Sequence, residues 1–208
     1  MENPADFSVS SVQFRQFSYL NTDRNHTQTV VPIKIELEMI FETERLLIRK
    51  LNTNDSKLFF ELMSNPNVMN TIPQKVFTRN ESNTKLAELI SIEKSSKTKI
   101  WCLTEKGNDS LIGICGFLKN NENDDEIAYR LIERFWGKSY GTEIAKGLIE
   151  YSFKILDFEK ITADVNTANK KSSKILEKFM NPVREFLNKE DNCTDRRYEI
   201  TKIGYYNV

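Results

Sequence analysis

The chain has 208 residues, of which 29% are charged and 39% are hydrophobic, and its formal net charge at pH 7 is zero. This balance argues against nucleic-acid binding as the main function, because phosphate backbones are bound by clustered excess lysine and arginine. No apolar run approaches the length of a membrane span, and the N-terminus lacks the basic start and apolar block of a secretory signal, so we expect no membrane association.

The first part of the chain looks unlike the rest. Residues 1–30 are polar, rich in Ser, Asn and Thr, and show no sustained hydrophobic period, which predicts a flexible or loosely docked tail. Apolar and charged side chains alternate over residues 33–38, as in a short edge strand. We therefore expect an N-terminal extension, residues 1–38, and one main domain, residues 39–208; a natural start at Met39 is an open alternative.

Two helices are predicted in the first third of the main domain. Residues 45–51 have the pattern of a core strand, and Asn54 and Asp55 are suitable caps for a helix after it. The Asn-Pro-Asn sequence around Pro66 ends that helix. A second helix follows Thr78, with leucine and isoleucine at helical spacing.

Two strands with a glycine turn between them follow, at residues 99–105 and 111–118. The three cysteines are far apart and odd in number, which disfavours a disulfide framework and a zinc site. Cys102 and Cys115 lie inside these apolar strands, so we expect buried free thiols. A reducing cytoplasm is the expected location.

A strand at residues 126–132 leads through a glycine-containing turn into a helix at about residues 140–156. Glycines let backbone N–H groups approach a ligand closely, and the helix N-terminus favours negative charge. With Arg134 and Lys138 beside it, the turn has the character of a phosphate cradle. A bare strand-to-helix turn that needs glycine only for geometry explains the pattern equally well.

The next strand, at residues 160–165, completes a strand-helix-strand unit of the length expected for a parallel crossover. A helix with a buried face follows Asn169 and Ser172, and Pro182 is expected to end it. Two strands close the chain, at residues 183–187 and 196–203. The charged run around Arg197 is interpreted first as a strand start held by surface ion pairs, and second as a contact with the substrate.

Three stretches resemble the GNAT superfamily of N-acetyltransferases, and its RimJ/RimL-like branch in particular. Arg134-x-x-Gly137-x-Ser139 matches the acyl-CoA motif Arg/Gln-x-x-Gly-x-Gly/Ala at two of its three anchors. The stretch from Glu42 to Arg49 resembles the opening strand of that branch, and Asn169-x-x-Ser172 resembles one of its helix starts. The resemblance covers roughly residues 39 to 203, with fitting motif order and spacing.

The resemblance implies a mixed α/β fold: a mostly antiparallel sheet, flanked by helices and splayed between its fourth and fifth strands. The pantetheine arm of acetyl-CoA enters that gap and binds backbone groups of the fourth strand, and the pyrophosphate lies on the glycine turn. The implied cofactor-binding residues are Tyr129, Leu131, Ile132, Arg134, Gly137, Lys138, Ser139, Tyr140, Gly141, Thr142 and Asn169. A plain helix cap is an equally good interpretation of Asn169.

The resemblance also implies a reaction, direct attack of a primary amine on the thioester without a metal. Many family members protonate the leaving thiolate with a tyrosine at the position that Leu176 holds here, so Ser172 is the implied donor and Ser173 the fallback. Glu126, at the head of the fourth strand, is the implied base, and direct action requires a raised pKa. Glu143 is interpreted as a structural carboxylate in the first turn of its helix.

The acceptor expected from the resemblance is a protein N-terminus, a polyamine or another small amine, and the protein is expected to be a monomer or homodimer. The alternative is a non-catalytic acyl-CoA-binding or regulatory module, because one fold can carry either role.

Overall fold

The structure is a computed structural model, and it describes residues 38–70, 75–93, 97–189 and 191–207. The predicted N-terminal extension therefore lies outside the described residues, apart from Glu38, as does nearly all of the edge strand predicted at residues 33–38. No helix in the described ranges is long and apolar enough to cross a membrane.

Eight strands form one sheet. In chain order they are β1 (Met39–Glu42), β2 (Leu46–Arg49), β3 (Lys99–Glu105), β4 (Asn108–Lys119), β5 (Asp125–Leu131), β6 (Lys160–Asn166), β7 (Asn181–Asn188) and β8 (Cys193–Thr201). Their order across the sheet is β1-β2-β3-β4-β5-β6-β8-β7. All neighbours are antiparallel except β5 and β6, which run parallel. This confirms the predicted mixed, mostly antiparallel sheet.

The sheet opens between β5 and β6, which correspond to the predicted fourth and fifth strands because β1 adds a strand at the edge. One register pair joins them, Glu126 with Thr162. On its other side, β5 pairs with β4 continuously from Lys119–Asp125 to Gly113–Leu131. The parallel strands therefore separate after Glu126, and the predicted splay is present.

Helices cover both faces of the sheet. They are α1 (Ser56–Ser64), α2 (Pro66–Met69), α3 (Arg79–Ile92), α4 (Tyr140–Lys154), α5 (Lys170–Leu176) and α6 (Lys202–Tyr206). One apolar core joins the sheet to α4 and α5, and a second joins it to α1, α2 and α3. Along β3, Trp101 and Leu103 enter the first core and Cys102 enters the second, as the alternation of a strand requires. Cys102 and Cys115 are buried free thiols, as predicted.

Three local features differ from the prediction. Asp55 occupies the N-cap position of α1, as predicted, but its side chain makes no capping hydrogen bond to that helix; Asn52 instead caps a short 3₁₀ turn before it, accepting a hydrogen bond from the Asn54 N–H. Pro66 does more than end α1, because it occupies the start of α2, where its missing N–H is not needed. Pro182 does not end α5, which stops at Leu176; it lies in β7, an edge strand where proline is tolerated.

Candidate active site

A cavity of about 1400 Å³ opens at the gap between β5 and β6. It is lined by β5, by the turn and helix start that follow, by the start of α5, by β6, and by the connection between β7 and β8. The splay and the crossover helix α4 thus place two helix N-termini and an unpaired strand edge around one space.

The turn between β5 and α4 is a concave array of backbone donors. Gly137 and Ser139 have positive φ angles of 76° and 65°, on either side of Lys138. Among the described residues, no group accepts a hydrogen bond from the backbone N–H groups of Gly137 to Thr142. Alternating backbone conformations of this kind form nests that bind anions, and the dipole of the 15-residue helix α4 adds to the effect.

The glycines of this turn have two separate roles. A Cβ on Gly137 would meet nothing within 4 Å, so glycine supplies the positive φ there. A Cβ on Gly141 would lie 3.0 Å from Cδ1 of Ile175 on α5, so glycine lets α4 and α5 pack closely. Ser139 adopts the left-handed conformation although it has a side chain, which costs conformational energy.

The exposed edge of β5 faces the gap with alternate residues. The Ile132 N–H donates to the Ile112 carbonyl at 2.9 Å, so this register turns the even-numbered residues toward β4. The backbone groups of Tyr129 and Leu131 therefore point to the gap. The Leu131 carbonyl accepts a hydrogen bond from Nε1 of Trp136 at 3.0 Å, which leaves its N–H and both groups of Tyr129 for a ligand.

Eight of the eleven predicted cofactor residues line the cavity: Tyr129, Leu131, Gly137, Ser139, Tyr140, Gly141, Thr142 and Asn169. Ile132, Arg134 and Lys138 do not. Ile132 is buried in the second core, and Arg134 forms an ion pair with Glu61 on α1. The ammonium of Lys138 lies 4.9 Å from the Phe135 ring.

Glu143 anchors the first turn of α4 to the hairpin between β1 and β2. Its carboxylate accepts hydrogen bonds from the Thr43 hydroxyl at 2.6 Å and from the Arg45 N–H and Nε at 2.8 and 2.7 Å. Burial acts to raise the pKa of Glu143, but these hydrogen bonds outweigh it and the pKa is lowered. Arg45 also donates to the Lys138 carbonyl at 3.2 Å, so the hairpin supports the turn directly. Glu143 thus has the structural placement predicted for it.

The start of α5 brings Asn169 and Ser172 to the cavity. The Asn169 Oδ1 caps the helix by accepting from the Ser172 N–H at 3.1 Å, while its Nδ2 forms no hydrogen bond among the described residues. Ser172 lines the cavity and Ser173 is buried away from it. Leu176, which replaces the expected tyrosine, is 1% exposed and packs in the first core.

The side chain of Tyr129 is a feature that the sequence did not reveal, since its backbone alone was assigned to the site. Its hydroxyl is buried and has no well-formed hydrogen bond among the described residues. Burial raises the pKa of Tyr129 to about 12, and the neighbouring Ser172 opposes the rise. The phenol therefore stays protonated at neutral pH beside the predicted donor.

Glu126 lies on the opposite face of β5, at the end of the cavity that contains Asp164 and Arg197. Burial raises the pKa of Glu126 to about 7, and the charge of Asp164 adds to the rise. A pKa in this range suits a general base near neutral pH.

The prediction of surface ion pairs at the start of the last strand is confirmed for Arg196, which pairs with Glu185 at 2.6 Å, and is wrong for Arg197. It is 4% exposed and Tyr198 is fully buried. Its guanidinium binds Asp164 at 2.8 and 2.7 Å and Glu122 at 2.6 Å, and the hydrogen bonds to Asp164 raise the pKa of Arg197. Composition gave no signal for this cluster, because it depends on the register that sets Asp164 opposite Arg197. Within the described ranges, no group of three or more His, Cys, Asp or Glu is placed to hold a metal ion.

This chain is similar to known proteins in both sequence and fold. The family described as Acetyltransferase (GNAT) domain matches residues 45–179. The chain is 32% identical to p20 of Bacillus licheniformis, an uncharacterized N-acetyltransferase. The alignment spans 139 residues and covers 64% of this chain and 77% of that protein.

Solved structures share the fold over most of their length. A GNAT-family acetyltransferase from Bacillus anthracis has a TM-score of 0.69 at 25% identity, covering 79% of this chain and 99% of that one. The spermidine N-acetyltransferase of Vibrio cholerae, solved with CoA and spermine, has a TM-score of 0.66 at 20% identity, covering 78% and 98%.

Proposed function

The chain belongs to the GNAT family of acetyltransferases, and from this premise we propose that it transfers the acetyl group of acetyl-CoA to a primary amine, as a member of the RimJ/RimL-like branch. The observation that carries the proposal is the unbroken run of backbone N–H groups from Gly137 to Thr142, none of which has an acceptor in the part of the chain that the structure describes. Such a run at the start of a long helix is suited to a pyrophosphate.

The gap in the sheet suits the pantetheine arm. The Tyr129 N–H and carbonyl and the Leu131 N–H offer the hydrogen bonds of an absent strand, so an amide-containing arm is bound as if it were that strand. The free Nδ2 of Asn169 lies at the same cavity and is a further donor. Helix capping and cofactor binding are therefore compatible roles for Asn169.

Two side chains at the gap assist the reaction: Glu126 takes the proton of the amine, and Ser172 stabilises the leaving sulfur. Glu126 accepts the proton that the amine loses as its nitrogen bonds to the acetyl carbon, directly or through one water. Ser172 donates a hydrogen bond to the sulfur as the carbon–sulfur bond breaks, and the protonated Tyr129 phenol lies beside it. The thiolate then takes a proton from solvent, and Glu126 returns to solvent the proton that it accepted from the amine. The products are an amide and the free thiol of CoA.

The acceptor is a protein N-terminus, a polyamine or another small amine. Support for an amine comes from Glu126, which lines one end of the cavity and can accept the proton of an amine there; the neighbouring Glu122 and Asp164 are already paired with Arg197. The Vibrio cholerae neighbour was solved with spermine, a small amine, in its complex.

CoA release from acetyl-CoA, measured over a panel of amines, tests the proposal. Turnover with at least one amine is expected, together with a rise in melting temperature on addition of acetyl-CoA. A chain that is stabilised by acetyl-CoA but acetylates no member of a broad panel contradicts the proposed acceptor class.

A further inference from the structure

Arg130 is an arginine without a carboxylate partner among the described residues. Its NH1 contacts the sulfur atoms of Met63 and Met69 at 3.3 and 3.2 Å, and thioethers are weak acceptors. Six other described arginines form ion pairs with carboxylates: Arg45, Arg49, Arg134, Arg184, Arg196 and Arg197.

Arg130 lies at the cavity, on the same strand as Glu126. Arg130 lies on β5, four residues after Glu126, so the two side chains are on the same face of the strand. Both residues line the cavity. Asn67 and Asn70, on either side of the contacting Met69 in sequence, also line the cavity. Arg130 lines this cavity and forms no ion pair with a described carboxylate; Glu133, the acid bonded to Asn67, is held by the side-chain amides of Asn65 and Asn67.

A charge in this state is costly. Burial lowers the pKa of Arg130 to about 10, and no charge among the described residues offsets the loss of solvation. An arginine held between two methionines and a cavity is stabilised by an anion that enters the cavity, and its planar fork fits a carboxylate or a phosphate.

We propose that Arg130 binds an anionic group of the acceptor, so that the substrates of this protein are amines that also carry a carboxylate or a phosphate. This inference rests on the proposed function and narrows it, because it excludes simple polyamines as preferred substrates. Glu126 receives the amine and Arg130 receives the anion.

The spacing of the two residues sets the size of the acceptor. Four residues of strand separate their Cα atoms by about 13 Å, and both side chains reach into the cavity, which shortens the span. An acceptor with several bonds between its amine and its anionic group therefore fits best. The phosphates of the cofactor are a less suitable source of the anion, because their turn precedes α4 on the opposite face of the sheet, whereas Arg130 contacts the core of α1 and α2.

Matched pairs of substrates test the proposal. We suggest ω-amino acids of increasing chain length, each beside its carboxamide, and phosphoethanolamine beside ethanolamine. The wild type is expected to favour the anionic member in kcat/KM by about ten- to a hundredfold, the value of hydrogen bonds to a charged group. In Arg130→Met this ratio falls to about one, while the control Arg79→Met keeps it, since the Arg79 guanidinium stacks on Phe60 at 4.0 Å on the protein surface.

A second measurement separates this inference from the proposed function. With CoA saturating the cofactor turn, inorganic phosphate should raise the melting temperature of the wild type and of Arg79→Met, but not of Arg130→Met. Stabilisation by phosphate without turnover on any amine supports the anion site and rejects the acetylation of amines. Turnover with equal preference for both members of every pair, or a preference that Arg130→Met retains, overturns the anion site and leaves amine acetylation standing.

Discussion

Arg197 binds Asp164 through two hydrogen bonds, at 2.8 and 2.7 Å, and gives a third at 2.6 Å to Glu122. These bonds use three of its five N–H donors, and Glu126 beside the two carboxylates forms no ion pair among the described residues. Burial and the charge of Asp164 raise the pKa of Glu126 to about 7, although a backbone hydrogen bond from Asp164 and the charge of Arg197 act to lower it. A carboxylate arranged in this way is poised to accept a proton.

The first prediction follows from that pKa. Glu126 is ionised, and able to act as a base, only above about pH 7, so wild-type turnover should rise through this pH. Glu126→Gln should lose about a hundredfold at pH 8. The loss should shrink below pH 6, where the wild-type carboxyl is itself protonated, and again at high pH, where free amine is abundant. Equal turnover of both proteins across the pH profile contradicts the role of Glu126.

The same group makes stability depend on pH. Its pKa is raised in the folded state above the ordinary value near 4.3, so the folded protein binds the extra proton between about pH 4 and 7. The stabilisation is therefore present at low pH and lost as pH rises through 7. The melting temperature of Glu126→Gln minus that of the wild type should therefore be larger at pH 8 than at pH 5.

Ser172→Ala should reduce turnover by about ten- to a thousandfold and leave acetyl-CoA affinity nearly unchanged, because a donor to the leaving sulfur acts mainly in the transition state. Its melting temperature should stay close to that of the wild type, since Asn169 caps α5 through the backbone N–H of Ser172, which alanine keeps. Ser173→Ala is the matched control, because Ser173 lies outside the cavity. Equal turnover of both variants removes Ser172 from the mechanism.

Gly137→Asp should abolish the stabilisation by acetyl-CoA, which for the wild type is roughly 2.7 kcal/mol at a hundredfold excess over Kd. The new side chain adds negative charge to a donor array suited to phosphate and strains a positive φ. Gly107→Asp controls for that strain, because Gly107 has a φ of 80° and, like Gly137, nothing within 4 Å of an added Cβ. Thermal shifts with acetyl-CoA that are similar in both variants contradict a phosphate site at the turn.

A chain that starts at Glu36 should fold and bind acetyl-CoA like the full chain, which tests the proposed division between an extension and one main domain. A start at Met39 is less suitable, because the Lys50 N–H donates to the Glu38 carbonyl at 3.0 Å and Lys50 also pairs with the Glu38 carboxylate. Melting temperatures of the three chains measure both effects. An insoluble product from the Glu36 start assigns the preceding residues to the domain.

Local signals explain which elements were predictable. Thr78 with Glu81, and Asn169 with its following helix, are capping patterns that act within one turn, and the structure contains both. The glycine turn was predictable for the same reason. Pro182 and Arg197 were misinterpreted because their environments depend on strand order and register, which no short stretch encodes. Arg130 gave no signal, since its isolation arises from residues distant in sequence.

The gap between β5 and β6 also has a mechanical consequence. The strands β1 to β5 and the strands β6 to β8 form two parts of the sheet, and one backbone register pair joins the two parts. A force that pulls β5 and β6 apart is opposed by few backbone hydrogen bonds, whereas a force between β4 and β5 is opposed by a continuous ladder of them. A ligand that bridges Tyr129 to β6 therefore adds a link across the boundary at which the sheet has one backbone register pair.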